Sequence, residues 1–328
     1  MPLSAVTSVV TAVVPVHNGA AMLECLLASI RAQTVSFAEI VVVDDASTDA
    51  APDIARRSGC RVLEMGSNAG FARAVNAGWR AARTEWVAIL NSDVELDPAW
   101  LERLLEAAGG VGFATGTIVD AVTRNIVDGT YDLVSRAGCA SRAGHGEPVA
   151  DGRGALRLIA VAPATACLFR REVLEKLNGF DESFGSYLED VDMGLRCVRA
   201  GVPGIYVADA LARHRGSASF GRWSSRSVRL ISRNQVLLIA RNYDAALFRS
   251  CFWPIVAGQL LWGLVALRHG RGFAWISGKI DGLRGFRPNG QPSPALREFL
   301  VQSERELHRR ATQDFYWRWY FRFVTVAH

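Results

Sequence analysis

Apolar runs that fit buried strands alternate with helical segments through the first hundred residues, and this alternation constrains the fold most strongly. The strand-like runs are residues 9–15, 40–43, 61–64 and 86–90. Between them, residues 20–33 and 71–83 repeat apolar side chains at helical spacing. Strands and helices in regular alternation predict an α/β fold, with a mostly parallel central sheet and helices on both faces.

Composition and charge narrow the classes of partner. The chain has 328 residues and is 50% hydrophobic, which is enough for a sizeable core and for two structural units. A net charge of +5 favours a partner that carries phosphates or an anionic membrane surface. The sequence has no zinc-finger spacing and no long basic run, so nucleic acid is not predicted as a partner. Its six scattered cysteines are typical of reduced thiols in a cytosolic protein.

The pattern divides the chain into two regions. Residues 1–219 are expected to form the α/β domain, and residues 220–328 are helical, basic and rich in tryptophan. Within the first region, residues 136–154 are rich in glycine and arginine and predict a long mobile loop. Residues 1–18 are apolar without a basic start, so they predict a first strand rather than a signal peptide.

The second region contains two segments with a membrane interpretation. Residues 251–267 are apolar but near the lower length limit for a spanning helix, so a helix at the membrane interface or packed on the protein is favoured over a span. In the tail, Phe315, Trp319 and Phe323 share one helical face beside basic residues. This helix either packs on the α/β domain or docks on the inner leaflet of a membrane, and the two can coexist.

Three of the predicted strands end in polar clusters, where ligands bind to sheets of this kind. These clusters are "PVHNG" (15–19), "DDASTD" (44–49) and "NSD" (91–93). The glycine pattern of a dinucleotide fold is missing from "PVHNG" and from residues 66–78, and the chain has no P-loop motif. A nicotinamide, flavin or P-loop site is therefore not predicted.

The carboxylates in these clusters each have a structural and a functional interpretation. Asp44 and Asp45 either cap the following helix or accept a hydrogen bond from a nucleotide base or ribose. Asp93 is either a turn residue or one oxygen ligand of a hard divalent cation.

A third acidic group begins the helix predicted over residues 188–200. Glu189, Asp190 and Asp192 suit a first helical turn, where the macrodipole favours carboxylates. Asp190 lies off the apolar stripe of that helix, where a rigidly held carboxylate makes a well-placed general base. Farther on, His214 follows a predicted strand and is either structural or a metal ligand.

Together and in this order, these motifs resemble the inverting family 2 glycosyltransferases, which have the GT-A fold. The matching segments span about residues 9–219 and are "VVPVHNGAAMLECLLASIRAQT", "IVVVDDASTD", "NAGFARAVNAGW", "WVAILNSDVELDPAWLERLL", "RREVLEKLNGFDESFGSYLEDVDMGLRCVRAG" and "YVADALARHRGSAS". The segments "GFARAVNAG", "GFDESF", "EDVDMGLR" and "DFYWRWYF" are similar to those of a rhamnosyltransferase-like subgroup.

The resemblance implies a role for each candidate residue. Asp45 is expected to contact the nucleotide base, and Asp190 is expected to be the catalytic base. Asp93 and His214 are expected to hold Mg²⁺ or Mn²⁺ against the donor diphosphate. The other residues implied in nucleotide-sugar binding are Pro15, His17, Asn18, Asp44, Asn68, Gly70, Arg73, Asn76, Asn91 and Ser92. Those implied on the acceptor side are Glu189 and Asp192.

The sequence departs from the family pattern at two places. Asn91 replaces the first acid of the family's Asp-x-Asp motif, so Asp93 is the one carboxylate left for the metal. The segment "FGSYLED" replaces a more aromatic stretch of the subgroup. The resemblance also implies a nucleotide-sugar half over about residues 1–95 and an acceptor half over about 96–219.

The function implied is a single-displacement sugar transfer. A general base takes the proton of the acceptor hydroxyl, and a metal neutralises the leaving nucleoside diphosphate. The expected donor is dTDP-rhamnose, with a UDP sugar as alternative, and the expected acceptor is a glycan or lipid-linked glycan of the cell envelope. The expected location is cytoplasmic, peripheral on the inner face of the membrane.

Two alternatives stay open: another hexosyl or galactofuranosyl transferase, and a non-catalytic member that binds nucleotide sugar or glycan. A nucleotidyltransferase is disfavoured, because "PVHNGAAML" has no lysine or arginine for a phosphate loop.

Overall fold

A computed structural model describes residues 9–149, 155–216, 223–284, 286–310 and 314–326. The strands are β1 (Val10–Val16), β2 (Glu39–Asp44), β3 (Arg61–Glu64), β4 (Trp86–Leu90), β5 (Val94–Leu96), β6 (Phe113–Asp120), β7 (Val127–Gly129), β8 (Asp132–Val134), β9 (Ala140–Arg142), β10 (Leu156–Ile159), β11 (Ala166–Arg170) and β12 (Gly204–His214). The helices are α1 (Ala20–Arg31), α2 (Ala51–Arg57), α3 (Phe71–Ala81), α4 (Trp100–Ala107), α5 (Arg171–Lys176), α6 (Glu189–Arg199), α7 (Ser225–Asn242), α8 (Ala245–Ser250), α9 (Phe252–Arg268), α10 (Gly272–Arg284), α11 (Pro294–Arg310) and α12 (Phe315–Phe323), with a 3-10 turn at Glu182–Phe184.

The central sheet has the strand order β10-β12-β6-β11-β4-β1-β2-β3, with β5 beside β12 and β7 beside β6. Strands β4, β1, β2 and β3 are parallel neighbours, and β6 and β12 are also parallel. Strand β11 runs antiparallel between β4 and β6, and β10 runs antiparallel at the edge. Most strands along this path therefore run in one direction, which confirms the predicted α/β fold with a mostly parallel sheet.

Helices cover both faces of this sheet, which explains why residues 12–16 of β1 are all apolar. Successive residues of a strand point to opposite faces. Val13 of β1 joins the core beneath α3, and Val14 joins the core beneath α1. Because both faces are buried, apolar side chains are favoured at successive positions, and this run does not alternate with polar residues.

The topology brings the polar clusters to one edge of the sheet. Strands β4, β1 and β2 are adjacent and parallel, so the residues that follow Leu90, Val16 and Asp44 emerge side by side. The loops after β1 and β4 touch, since a Cβ atom on Gly19 would lie 3.0 Å from Ser92 Oγ. Strand β12 ends on the same side, where His214 pairs with Val94 of β5.

The C-terminal helices pack against α6 and the strand β8. A buried cluster joins Val134 of β8 and Val191 of α6 to Leu238 of α7 and Leu300 of α11. In the tail helix, Tyr316, Trp317 and Tyr320 are buried, so the helix packs on the protein, whereas Phe315 and Phe323 of the predicted face are exposed. The predicted boundary after residue 219 falls among residues 217–222, outside the described part, and stays a prediction.

Three local predictions from the sequence are wrong. The sequence around Ser47 favours a cap for the second helix, but α2 begins after Ala50, because Ser47 Oγ accepts the backbone N–H of Asn18 instead. Asp97 before Pro98 favours a cap for the fourth helix, but α4 begins two residues later, after Ala99. The predicted loop at 136–154 contains the strand β9, paired with β8; its residues 150–154 lie outside the described ranges. Across the described ranges, no helix combines the length and apolar character required to traverse a membrane, and this includes α9.

Candidate functional site

The adjacent carboxylates Asp44 and Asp45 end β2, and each is only 5% exposed. Backbone N–H groups satisfy both of them. Asp45 accepts the N–H of Ala69 at 2.6 Å and that of Gly70 at 2.9 Å. Asp44 accepts the N–H of Ser47 at 3.2 Å. Asp45 therefore fastens the loop that leads into α3 to the tip of the second strand.

His17 and Asn18 connect the tips of β1 and β2. Nδ1 of His17 lies 2.8 Å from the carbonyl oxygen of Asp45, so this nitrogen carries the proton and donates it. Asn18 has a left-handed φ of 54° and accepts the N–H of Thr48 at 2.8 Å. Pro15 is buried within β1 opposite Val43. These contacts fix the geometry of the wall between the two strand ends.

The start of α3, predicted to form a wall of the donor site, is held by the segment before α6. Gly70 has a φ of 90°, and a Cβ atom there would lie 3.1 Å from the Gly185 backbone. Asn76 is buried and donates to the carbonyl oxygen of Phe180 at 2.8 Å, while its own oxygen accepts the N–H of Phe180 at 2.9 Å. Asn76 therefore acts by fixing α3 to the segment before α6.

Two further residues of this wall have freer side chains. Arg73 lies 3.3 Å from Glu182 and is more than half exposed. Asn68 is exposed in the loop before α3. Both lie where a donor could contact them without displacing a core contact.

Asp93 and His214 come together although 121 residues separate them in the sequence. Nε2 of His214 lies 3.4 Å from Oδ1 of Asp93. Nearby in the same loop, Oδ1 of Asn91 is buried and has no hydrogen-bond partner within the described ranges. The structure thus gathers the two predicted metal residues and leaves an oxygen without a partner in the loop that carries Asp93.

A third residue, Asp128 of β7, orients this histidine and was not predicted. Oδ2 of Asp128 accepts from Nδ1 of His214 at 2.8 Å and from Arg142 at 2.7 Å. Burial raises the pKa of Asp128, but the hydrogen bond with His214 and the charge of Arg142 outweigh it and hold the pKa at about 2. Burial lowers the pKa of His214, but its bonds with Asp128 and Asp93 outweigh this and raise the pKa to about 9.

Asp190 stands at the start of α6, after a strained segment. Tyr187 and Leu188 both have left-handed φ values, of 72° and 66°. Oδ1 of Asp190 accepts the N–H of Val191 at 2.8 Å, and Oδ2 accepts that of Ala164 at 3.2 Å. Burial raises the pKa of Asp190, and these two hydrogen bonds offset part of the rise. The result is a fixed carboxylate that is more basic than usual.

Two other acids lie close to Asp190. Burial and the charge of Asp190 raise the pKa of Asp132 on β8 to about 7. The same two causes raise the pKa of Glu189 well above its usual range. Oε2 of Glu189 is buried and accepts no hydrogen bond from any residue that the structure describes. Around the predicted base, therefore, two neighbouring carboxyl groups favour their neutral form.

Asp192 faces away from this group. Its carboxylate accepts from Arg196 at 2.7 Å and from Asn242 of α7 at 2.8 Å. Asp192 therefore joins α6 to α7 and does not lie with Glu189, beside which it was predicted to form the acceptor side.

The donor set at Asp93 fits a divalent cation that takes most of its ligands from a substrate. Across the described part of the chain, no group of three or more His, Cys, Asp and Glu side chains is arranged to hold a metal. Asp93 and His214 supply two donors, a carboxylate oxygen and an imidazole nitrogen. Mg²⁺ and Mn²⁺ are commonly held by one or two protein ligands together with phosphate oxygens.

Residues 11–178 match the family described as glycosyl transferase family 2. Over 288 residues the chain is 27% identical to the N-acetylglucosaminyl-diphospho-decaprenol L-rhamnosyltransferase of Mycobacterium tuberculosis. That alignment covers 80% of this chain and 92% of the relative.

Solved structures with a similar fold include two glycosyltransferases. The mannosyltransferase PcManGT of Pyrobaculum calidifontis, in complex with GDP-Man and Mn²⁺, is 19% identical, with a TM-score of 0.54, and the match covers 95% of this chain and 85% of that one. GalNAc-T7, with UDP, GalNAc and Mn²⁺, is 13% identical with a TM-score of 0.61, covering 86% of this chain and 58% of that one. At these identities the likeness shows the fold alone.

Proposed function

The chain belongs to glycosyl transferase family 2, and from this premise we propose that it transfers rhamnose from dTDP-rhamnose to a lipid-linked glycan of the cell envelope. The rhamnosyltransferase-like resemblance, the GT-A fold and the assignment as a glycosyltransferase are confirmed by the comparisons. The choice of rhamnose and of a lipid-linked acceptor is supported by the name of the mycobacterial relative.

One observation carries the proposal: residues far apart in sequence lie at the carboxyl ends of the parallel strands. Asp45 follows β2, and Asp93, after β4, lies beside His214 at the end of β12. Asp190 accepts the N–H of Ala164, and the next residue, Thr165, accepts the N–H of Asn91 in the loop that carries Asp93. In the proposed site the base and ribose of the donor lie against the tips of β1 and β2. His17, Asn18, Asp44 and Asp45 form that end, where the backbone network holds them rigidly.

The diphosphate end of the donor lies at Asp93 in this proposal. Asp93 and His214 would hold Mg²⁺ or Mn²⁺, which neutralises the charge that develops on the leaving nucleoside diphosphate. Asp128 accepts from Nδ1 of His214 and so directs Nε2 toward Asp93. His214 lies between the carboxylates of Asp128 and Asp93. A cation held by Nε2 would take the place of a proton on that nitrogen, while Nδ1 would keep its hydrogen bond with Asp128.

Asp190 is the proposed general base. The acceptor hydroxyl oxygen forms a bond to the anomeric carbon as the bond from that carbon to the diphosphate breaks. The proton of the hydroxyl moves to Asp190, whose raised pKa makes it a stronger base than an exposed aspartate. Glu189 lies beside it on the proposed acceptor side, whereas Asp192 is left out because its contacts join α6 to α7.

The proposal also sets the location and the identity of the partners. A lipid-linked acceptor resides in a membrane, and nucleotide sugars are made in the cytoplasm. The enzyme would therefore work in the cytoplasm, peripherally on the inner face of the membrane, as the basic C-terminal region supports.

The test is a transfer assay with the full chain, dTDP-rhamnose, Mn²⁺ and a polyprenyl-diphosphate-linked N-acetylglucosamine, with products identified by mass spectrometry. We expect a product heavier by one rhamnose and a loss of roughly 10²- to 10⁴-fold in kcat for Asp190→Asn. The matched control is Asp53→Asn, an exposed carboxylate on α2.

Three results would count against parts of the proposal. Turnover with UDP sugars alone would retain the glycosyltransferase and remove rhamnose. Unchanged transfer by Asp190→Asn would remove this residue as base. Absence of transfer from every donor would favour the non-catalytic alternative.

A further inference from the structure

Two neighbouring C-terminal helices expose apolar side chains along one stripe each. The exposed large apolar residues include Trp253, Leu260, Leu264 and Leu267 of α9 and Phe273, Ile276, Ile280 and Leu283 of α10. We call these eight side chains the apolar ridge. Phe273 is 91% exposed. Phenylalanine side chains are usually buried in the core or covered by a binding partner.

The two stripes meet where α9 passes into α10. A Cβ atom on Gly272 would lie 2.4 Å from Leu267, so the first turn of α10 is pressed against the last turn of α9. Farther along, Gly263 of α9 lies against the ring of Trp275. The exposed Leu267 and Phe273 therefore lie at the join, and the ridge continues from one helix to the other.

The opposite side of α10 is occupied by the protein itself. A Cβ atom on Gly278 would lie 2.3 Å from the carbonyl oxygen of Arg229, and Gly282 is similarly close to Val236. Helix α10 is thus pressed onto α7 by its glycine face. The apolar stripe of α10 lies on the face away from α7. The core contacts of this helix are therefore already made by its other face.

The charged residues of this part of the chain are mostly basic. Between residues 245 and 287 the sequence has one acid, Asp281, and the arginines Arg249, Arg268, Arg271, Arg284 and Arg287, whereas the ammonium group of Lys279 donates inward to α7 and α9. Asp281 is paired with Arg229 at 2.7 Å. An apolar helix face bordered by arginines, on helices too short to span, fits the headgroup layer of an anionic membrane.

We propose that the apolar ridge is the surface by which this protein docks on an anionic lipid bilayer, with α9 and α10 lying in the headgroup layer. The inference rests on the proposed function, because a lipid-linked acceptor is the reason for the protein to bind a membrane. A second copy of the chain fits the ridge less well, because two-fold pairing would bring the same arginines face to face.

The test is flotation of the full chain with vesicles of phosphatidylglycerol and phosphatidylcholine in equal parts, and with vesicles of phosphatidylcholine alone. We expect binding to the anionic vesicles that weakens at high salt. The double variant Leu264→Ser with Phe273→Ser should bind about tenfold more weakly or worse, since it removes two large apolar side chains from the interface.

The matched control is Val122→Ser, which changes a side chain that is 83% exposed in the turn after β6. It should bind vesicles like the wild type, and all three proteins should unfold at similar temperatures because the altered side chains are exposed.

Three results would overturn the inference: no binding of the wild-type chain to anionic vesicles, equal binding by the double variant, or a wild-type dimer that the double variant dissociates. Transfer to a short-chain, water-soluble acceptor measures the proposed function without vesicles. Vesicle flotation therefore tests the membrane docking of the apolar ridge, and the soluble-acceptor assay separately tests the proposed function.

Discussion

The buried amide of Asn234 on α7 gives the most detailed prediction. It donates to the carbonyl oxygens of Phe184 at 2.9 Å, Ser186 at 2.9 Å and Tyr187 at 2.7 Å. These carbonyls belong to the strained segment that sets the start of α6, and hence the position of Asp190. The C-terminal region thereby holds the proposed base in place.

Asn234→Ala removes these bonds. The amide has two N–H groups for these three carbonyl oxygens, so at roughly 1 kcal/mol for each buried hydrogen bond the loss is about 2 kcal/mol. Relaxation of Tyr187 and Leu188 from left-handed φ values offsets about 1 kcal/mol of this. The net loss of about 1 kcal/mol lowers Tm by about 1–2 °C in a chain of this size. The larger effect is on kcat, which should fall by about 10²-fold as Asp190 moves by an ångström or so.

The assay compares kcat, donor KM and Tm with those of Asn242→Ala, whose equally buried amide donates to Asp192 at 2.8 Å and to the Leu238 carbonyl at 3.0 Å. We expect both variants to lose stability, but Asn234→Ala alone to lose kcat, with donor KM unchanged. Equal losses of kcat in the two variants, or full activity in Asn234→Ala, would refute the reasoning.

Three further predictions concern other parts of the chain. Asp45→Ala frees the loop before α3 and should raise donor KM by about tenfold with a smaller change in kcat, as steady-state kinetics would show. Gly70→Ala forces a Cβ atom to within 3.1 Å of the Gly185 backbone at a φ of 90°, so thermal unfolding should show a loss of about 1–3 kcal/mol; an unchanged Tm would contradict this. Burial lowers the pKa of Lys279 to about 7, below its usual 10.5. Between these values the unfolded state binds more protons, so stability should rise with pH in the wild type relative to Lys279→Met, whose melting curves should lack this contribution.

The parts of the fold that could be predicted are those where burial requires apolar residues at successive or periodic positions of the sequence. Residues 12–16 of β1 and 40–43 of β2 are apolar runs within the core of the sheet. Asp93, Asp190 and His214 could be named as candidates because each lies next to the end of a recognisable strand or helix. The local pattern of apolar residues was sufficient to predict these elements, because each strand or helix packs a whole face against the core.

Other features depend on contacts between distant segments. Serine is a common N-cap residue, but the side chain of Ser47 accepts the backbone N–H of Asn18, in the loop after β1. Asp128, Asp132 and Arg142 lie on strands of three residues each, too short to show a period of two. Asp128 meets His214 across 86 residues, and nothing local marks that pairing. The one available signal was a set of charged residues within short, otherwise apolar or small-residue segments.

The central claim is that the edge of the sheet at Asp45 and Asp93 binds a nucleotide diphosphate sugar through a divalent cation. The most direct test is calorimetric titration of the chain with dTDP-rhamnose and UDP sugars, with and without Mn²⁺, for the wild type and Asp93→Ala. The account predicts that dTDP-rhamnose binds with Mn²⁺, and that Asp93→Ala weakens this binding by at least about tenfold while binding without metal stays unchanged. Failure of every sugar nucleotide to bind, or equal binding by Asp93→Ala in the presence of Mn²⁺, would contradict it.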